Sequence, residues 1–249
     1  SVASCVKTSQ GLITKHFSLK DTSEFIEEWI EWLFKQSEII LKDKMEYMKQ
    51  IAEELLTIDQ NLDVITVFGF NSSRFDSNLF KEYLHKRHWK VESNSMIGTL
   101  TQLKQFILVS NKYKTKLRFI DAQSFVAGGT LKQFGIDFGQ GKSLDSNVHV
   151  CGGESNSVIS QSSSSLKSEK GIFPYEAINS ENYDEVLSKT EPFKYDDFYS
   201  YLNQKNPLSK EDYQIYLEDA KNYKNRWEYL LAYNDNDVEM MIKPIDNLI

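Results

Sequence analysis

The sequence predicts an α/β protein built round a mixed sheet. Three observations carry this: two β-leaning runs at the start, Val2–Thr8 and Leu12–Leu19; one continuous apolar run, Val64-Ile65-Thr66-Val67-Phe68-Gly69-Phe70; and a last third that reads as helix. Strands and helices in that order are those of a sheet with helices covering its faces. With 249 residues the chain is long enough to bury a sizeable core without covalent staples.

Each element follows from its local pattern. Ser9-Gln10-Gly11 separates the first two runs and reads as a hairpin turn. Asp21-Thr22-Ser23-Glu24 has capping-box spacing, with Asp21 as N-cap and Glu24 reaching back from three residues on. The helix after it carries Phe25, Trp29, Trp32, Leu33, Ile40, Met48, Ile51 and Leu55 at helical spacing towards Ile58, a core-facing stripe. Val64–Phe70 reads as a strand buried on both faces, and Asp76–His88 as a helix. Gln105–Ser110 and Leu117–Asp121 read as strands around a lysine loop, Lys112-Tyr113-Lys114-Thr115-Lys116. A short helix, Thr130–Phe138, follows Gly128-Gly129. Residues 140–168 are rich in Gly and Ser, with serine at every position from 162 to 165, and read as a disordered insertion between a first part, 1–139, and a helical completion, 169–249. Two helical segments follow, around Tyr195–Leu202 and across Ser209–Ile242; Ser209 with Asp212 marks a start and Pro244 a stop.

Composition excludes several classes. Hydrophobic residues make up 40% and charged residues 26%, the balance of a folded chain rather than a disordered one. Two cysteines, Cys5 and Cys151, are too few for a disulfide framework, and Cys5 alternates within a strand as a core residue would. The longest apolar run is far below a membrane span, and no signal-peptide pattern opens the chain. Ser1–Val6 already reads as strand, so the chain is expected to begin inside a domain.

Net charge is −7, but it is unevenly spread. Between Lys81 and Arg118 nine Lys/Arg stand against Glu82 and Glu92, a local net of +7, which leaves −14 on the rest. Such a block suits a protein that meets a polyanion on one face. It equally suits a solvated helix and a lysine-rich loop, the commoner meaning of a charge run.

Two motifs can carry chemistry. Asp76 follows the buried strand in Asn71-Ser72-Ser73-Arg74-Phe75-Asp76, the end of a strand where ligands bind in open α/β sheets. A carboxylate there can hold a metal; it can equally cap a helix. In Tyr233-Asn234-Asp235-Asn236-Asp237 the four-residue spacing puts Tyr233 and Asp237 on one helix face. A phenol beside a carboxylate can orient a metal-activated water, or the stretch is a solvated acidic helix end.

Taken together, Asn-x-x-x-Phe-Asp after a buried strand and Tyr-x-x-x-Asp on a late helix resemble the second and third exonuclease motifs of family B DNA polymerases, above all the protein-primed branch of viruses, linear plasmids and transposons. Lys170-Gly171-Ile172-Phe173-Pro174-Tyr175 is similar to that family's Lys-x-x-hydrophobic motif with its following aromatic, and Phe198–Val238, with Ser209–Tyr213 and Trp227, to its lead-in to the third motif. Thr130-Leu131-x-x-Phe134 also fits a DNA-binding motif of the family, and equally an ordinary helix start. The resemblance implies an RNase H-like exonuclease domain that trims 3′ ends by two-metal hydrolysis with Mg²⁺ or Mn²⁺. It implies Asp76 and Asp237 as metal ligands, Tyr233 as the residue placing the attacking water, and Lys170 as the cation near the scissile phosphate. Asn71, Phe75, Thr130, Leu131 and Tyr175 would bind the single-stranded 3′ end. The implied partners are single-stranded DNA or a primer 3′ end and, in a full-length polymerase, a terminal priming protein; the setting would be intracellular, nuclear or mitochondrial in a eukaryote, away from membranes.

One departure bears on all of this. The family's first motif, Asp-x-Glu on the first strand, does not occur ahead of or within Val2–Leu19; Asp237-Val238-Glu239 has the letters but belongs to the third motif. Nor do the paired aspartates of a polymerase palm follow. The expectation is a polymerase fragment whose first strand is missing and which is inactive alone. The alternatives are a stand-alone metal-dependent exonuclease or a non-enzymatic single-strand-binding or interaction module. A zinc site from His85-x-x-His88 with His149-x-Cys151 has the weaker claim, since no Cys-x-x-Cys is present.

Overall fold

Alternation in the first seventeen residues sets up a two-faced hairpin. Strand β1 (Val2–Thr8) pairs antiparallel with β2 (Gly11–Phe17), in register from Val2 opposite Phe17 to Thr8 opposite Gly11. The chain reverses at Gly11, whose φ of 118° lies where side chains rarely go. These features belong to a computed structural model that describes residues 1–51, 62–74, 76–99, 101–126, 129–139, 172–201 and 204–248. Among the described residues no helix is long and apolar enough to cross a membrane.

A five-stranded mixed sheet forms from β3 (Val64–Gly69), β4 (Trp89–Val91), β5 (Ile97–Thr99), β6 (Gln102–Ser110) and β7 (Lys116–Asp121). Its order is β3-β7-β6-β4, with β5 also on β6; β3 and β7 are parallel and the other pairs antiparallel. The hairpin is a separate two-stranded sheet. Helix α1 (Phe25–Ile51) covers one face of both sheets: Trp29 donates to Ser4 Oγ at 2.9 Å, and its ring lies 6.1 Å from that of Phe119. The opposite face belongs to α3 (Leu131–Gly139) and α6 (Arg226–Leu248). There Phe70 meets Phe134 at 5.2 Å, and Thr14 and His16 reach Glu239 and Asp235 of α6 at 2.6 and 3.2 Å. The main core lies between α1 and the sheet, with Ile30, Phe34, Phe106 and Leu108 at 1% exposure or less.

A second core assembles the C-terminal third from α4 (Tyr183–Leu187), α5 (Lys210–Ala220) and the start of α6. Buried Tyr216 accepts from Phe193 N at 2.7 Å, and Tyr213 donates to Phe193 O at 3.0 Å. Arg226 donates to Glu191 O and Pro192 O at 2.7 and 3.1 Å and lies 4.1 Å from the Phe193 ring. One guanidinium thereby fastens the loop after α4 to the first turn of α6.

Several expectations are corrected. The capping box does not form: α1 begins at Phe25, Asp21 accepts from Ser18 Oγ at 2.7 Å, and Glu24 pairs with Arg87 at 2.5 Å. The helix expected over Asp76–His88 is α2 (Asp76–Phe80) with one further 3₁₀ turn, since Arg87 adopts φ 58° and turns the chain into β4. The Ser209–Ile242 helix is two helices, with a break between Ala220 and Arg226. Ser209 does cap α5, accepting from Asp212 N at 3.0 Å. Pro244 does not stop α6, which runs through it to Leu248; the ring is buried, 3.8 Å from where a Cβ on Gly139 would stand. Strand β3 is mostly half-buried rather than buried on both faces, because one of its edges lines a cavity. Cys5 is a free, half-buried thiol beside Thr14. The 140–168 segment, Leu55 and Ile58 lie outside the described residues.

Charge-assisted bonds from Arg226 to backbone carbonyls contribute more than neutral ones. Arg226→Ala should lower stability by about 2 kcal/mol in urea unfolding, with Arg226→Lys recovering less than half because an ammonium lacks the planar fork.

Candidate functional site

A cavity of about 870 Å³ opens where the first residues of β1 face the carboxyl-terminal half of β3. Its polar lining comes from the turn after β3, the end of β7 and α6, with Ser1, Ser4 of β1, Lys104 of β6 and Thr130 added.

The turn is held by sequence-specific constraints. A Cβ on Gly69 would stand 2.6 Å from Ser72 Cβ, so only glycine lets the chain fold back so tightly. Asn71 adopts φ 56°, a left-handed conformation that Asn tolerates better than most residues, and its carbonyl accepts from Arg74 N at 3.2 Å. Asn71 lines the cavity, and its buried Oδ1 has no hydrogen-bond partner among the described residues.

Asp121, the last residue of β7, stands in register with Gly69. It is 2% exposed; Oδ2 accepts from Ser73 N and Oδ1 from Gln123 N, both at 3.0 Å. One carboxylate thus pins the turn after β3 and starts the 3₁₀ turn Ala122–Phe125. Asp76 opens α2 at the cavity rim. The residue is exposed on its outer side, yet its carboxyl is crowded by the cavity wall, and that burial, followed by the charge of Asp121, pushes it up to about 6.

From the other side, α6 presents Tyr233 and Asp237 one turn apart. Tyr229 donates to Ile172 O at 2.7 Å, which ties the segment before Tyr175 to the same helix. The rings of Tyr175 and Phe173 lie 5.8 and 5.6 Å from that of Tyr233. The Tyr233 hydroxyl is hydrogen-bonded with Tyr175 and Asp237; burial first, then these neighbours, raises it far above the ordinary phenol range. Burial also pushes Tyr175 up to about 12, with Asp237 and Asp76 both adding to the shift. Both phenols are therefore neutral at any physiological pH. Their hydroxyls can hold a hydrogen bond but cannot serve as bases.

The structure therefore brings Asn71, Asp76, Tyr175 and Asp237 to one cavity, with Tyr233 buried behind it. Thr130 and Leu131 line it too, although the Thr130 hydroxyl accepts from Gln133 N at 3.2 Å and so caps α3. Phe75 and Lys170 lie outside the described residues. Asp121 is a cavity-lining carboxylate that sequence reading missed; its signal was its place at the end of a strand leading out to the same side as Asp76. Among the described residues, no group of three or more His, Cys, Asp or Glu side chains is set to hold a metal ion. Asp121 accepts one backbone N–H on each of its carboxylate oxygens.

The basic block has a local use. Arg87 pairs with Glu24, Lys86 with Glu27 at 3.9 Å, Lys112 with Glu31, and Lys116 with Glu92 at 3.0 Å. His88 stands 3.0 Å from Glu31 and packs against Trp89 and Tyr113, so it faces a carboxylate of α1; His149 and Cys151 lie outside the described residues. Comparison with models of protein families, with curated proteins and with solved structures finds no match to this chain.

Because Asp76 ionises near pH 6 in the folded chain instead of 3.8, its burial costs nothing below pH 3.8 and destabilises progressively as pH rises through 6. Asp76→Asn should therefore raise Tm at pH 8, with the difference vanishing by pH 3.5. In Asp121→Asn the Asp76 midpoint, followed by carboxyl NMR, should move down towards the ordinary carboxylate range, because a like charge beside it has been removed.

Proposed function

We propose that the cavity is the single-strand-binding and metal-ligating half of a 3′–5′ exonuclease site on an RNase H-like domain of the family B DNA polymerase kind. The observation that carries this is the meeting of Asp76 and Asp237, 161 positions apart in the chain, on one cavity beside Tyr175. The mixed sheet with helices on both faces is compatible with that domain type.

The donors present suit a hard divalent cation. Asp76 and Asp237 offer carboxylates and Asn71 an amide oxygen without a partner among the described residues, the ligand chemistry of Mg²⁺ or Mn²⁺. Such a cation, when bound, would polarise a phosphodiester and acidify a water molecule. The residues themselves supply orientation. Tyr233, kept protonated and donating to Asp237, can accept a hydrogen bond from a water molecule and so orient it. Tyr175 is 58% exposed at the mouth and offers a ring on which any base can stack. Asp76 releases its proton readily once a cation is near, since its raised midpoint comes from burial and a like charge.

With no Asp-x-Glu in β1 or β2 and Asp121 engaged by backbone, two carboxylates remain for two cations that repel each other. The 249 residues should therefore bind a DNA 3′ end without trimming it. Binding of a fluorescent oligothymidylate should weaken by about 1–3 kcal/mol, roughly five-fold to 150-fold, in Tyr175→Ala. The double change of Lys112 and Lys116 to Ala should leave the salt slope unaltered, because both already pair with acidic side chains. Oligonucleotide binding indifferent to Tyr175, or Mn²⁺-dependent 3′ trimming by these residues alone, would overturn the assignment of roles.

A further inference from the structure

We propose that Lys104 is a phosphate-binding side chain of the cavity, pairing with one internucleotide phosphate of a single strand whose 3′ end lies at Asp76 and Asp237. The proposal rests on the nucleic-acid reading of the cavity and adds to it a residue that no motif marks.

Lys104 belongs to the basic block between Lys81 and Arg118. Lys86, Arg87, Lys112 and Lys116 of that block pair with carboxylates, whereas Lys104 makes no ion pair among the described residues and lines the cavity. It is the one Lys or Arg among the described lining residues, in a lining that also carries Asp76, Asp121 and Asp237.

A β-bulge puts it there. Strand β5 pairs with β6 as Ile97 opposite Gln105 and then Gly98 opposite Leu103, so Lys104 is the extra residue. Two-residue alternation back from buried Leu108 and Phe106 would set position 104 in the core under α1, where an unpaired ammonium has no place. The bulge instead buries Leu103 and leaves Lys104 exposed. Gly98 makes this possible: its φ is 114°, and a Cβ there would overlap the Gln102 carbonyl oxygen and stand 3.1 Å from Lys104 N.

The last registered pair of β6 with β7 is Gln105 opposite Ile120, so Lys104 comes to the level of Asp121, which is itself in register with Gly69. That is the end of the sheet from which the turn to Asp76 leaves. Because β6 stands two strands in from β3, this place does not depend on what lies against the outer edge of β3. A phosphodiester approaching three carboxylates is repelled, and an ammonium on a flexible four-carbon stem offsets that repulsion at one phosphate. A contact to the backbone carries no base preference.

The test is binding of a fluorescent oligothymidylate by the full chain across a salt series. One phosphate contact on a single strand contributes about 0.7 to the slope of log affinity against log salt, so between about 50 and 200 mM salt the unaltered chain should lose about 2.6-fold more affinity than Lys104→Ala. Lys104→Arg should keep the original slope, as should Lys90→Ala, which removes an exposed lysine outside the cavity. Oligonucleotides with a single neutral methylphosphonate, stepped along from the 3′ end, then locate the contact. At one linkage the neutral group should weaken binding to the unaltered chain and have no effect on Lys104→Ala. An unchanged slope in Lys104→Ala, or the same methylphosphonate profile for both chains, would overturn the proposal; if Tyr175→Ala still weakens binding, the reading of the cavity stands without it. Should neither Tyr175→Ala nor Lys104→Ala alter binding, the reading of the cavity fails and the role of Lys104 with it.

Discussion

Parallel pairing of β3 with β7 is the constraint on which the site depends. It sets Gly69 opposite Asp121 and brings both strands out at one end of the sheet. Asp121 then grips the turn after β3 through Ser73 N, and that turn delivers Asp76 to the cavity rim. Burial raises the Asp76 carboxyl to about 6, and the same proximity makes Asp121 a like charge that adds to the shift. Asp121 is satisfied by two backbone N–H groups, and the cost of crowding two carboxyls together shows in Asp76.

The other half of the site depends on a different core. Arg226, Tyr216 and Tyr229 bind the C-terminal segments to the first turns of α6, and α6 then carries Tyr233 and Asp237 across to the sheet. Two independently packed units thus meet at one cavity. Asp235 and Glu239, on the same helix, are drawn towards His16 and Thr14 of the hairpin, leaving Asp237 as the carboxylate of that stretch on the cavity wall.

How much of this was legible depended on the range of the interaction involved. Spacing four apart on a helix shows Tyr233 with Asp237 directly, and an apolar run followed by Asn71 and Asp76 shows a strand and the turn beyond it. Ser209 capped α5 as its local pattern required. Glu24 did not, because Arg87, 63 residues away, offered a stronger partner than a backbone N–H. Lys112 and Lys116 look free in sequence; only the fold brings Glu31 of α1 and Glu92 against them. Pro244 reads as a stop, but burial against α3 carries α6 through it. Asp121 gave only a strand-end signal, since its role lies in contacts across 48 positions. Short β4 and β5 have too few residues for a period to register.

Paramagnetic broadening by Mn²⁺ tests the account most directly. Titrated at low molar ratio into the labelled chain at pH 7.5, the ion should broaden amide signals around Asp76, Asp121 and Asp237 together, and Asp237→Ala should abolish the effect at all three. Broadening confined to exposed acidic positions such as Glu211 and Glu218 on α5, with the cavity signals untouched, would contradict a cation-binding role for Asp76 and Asp237.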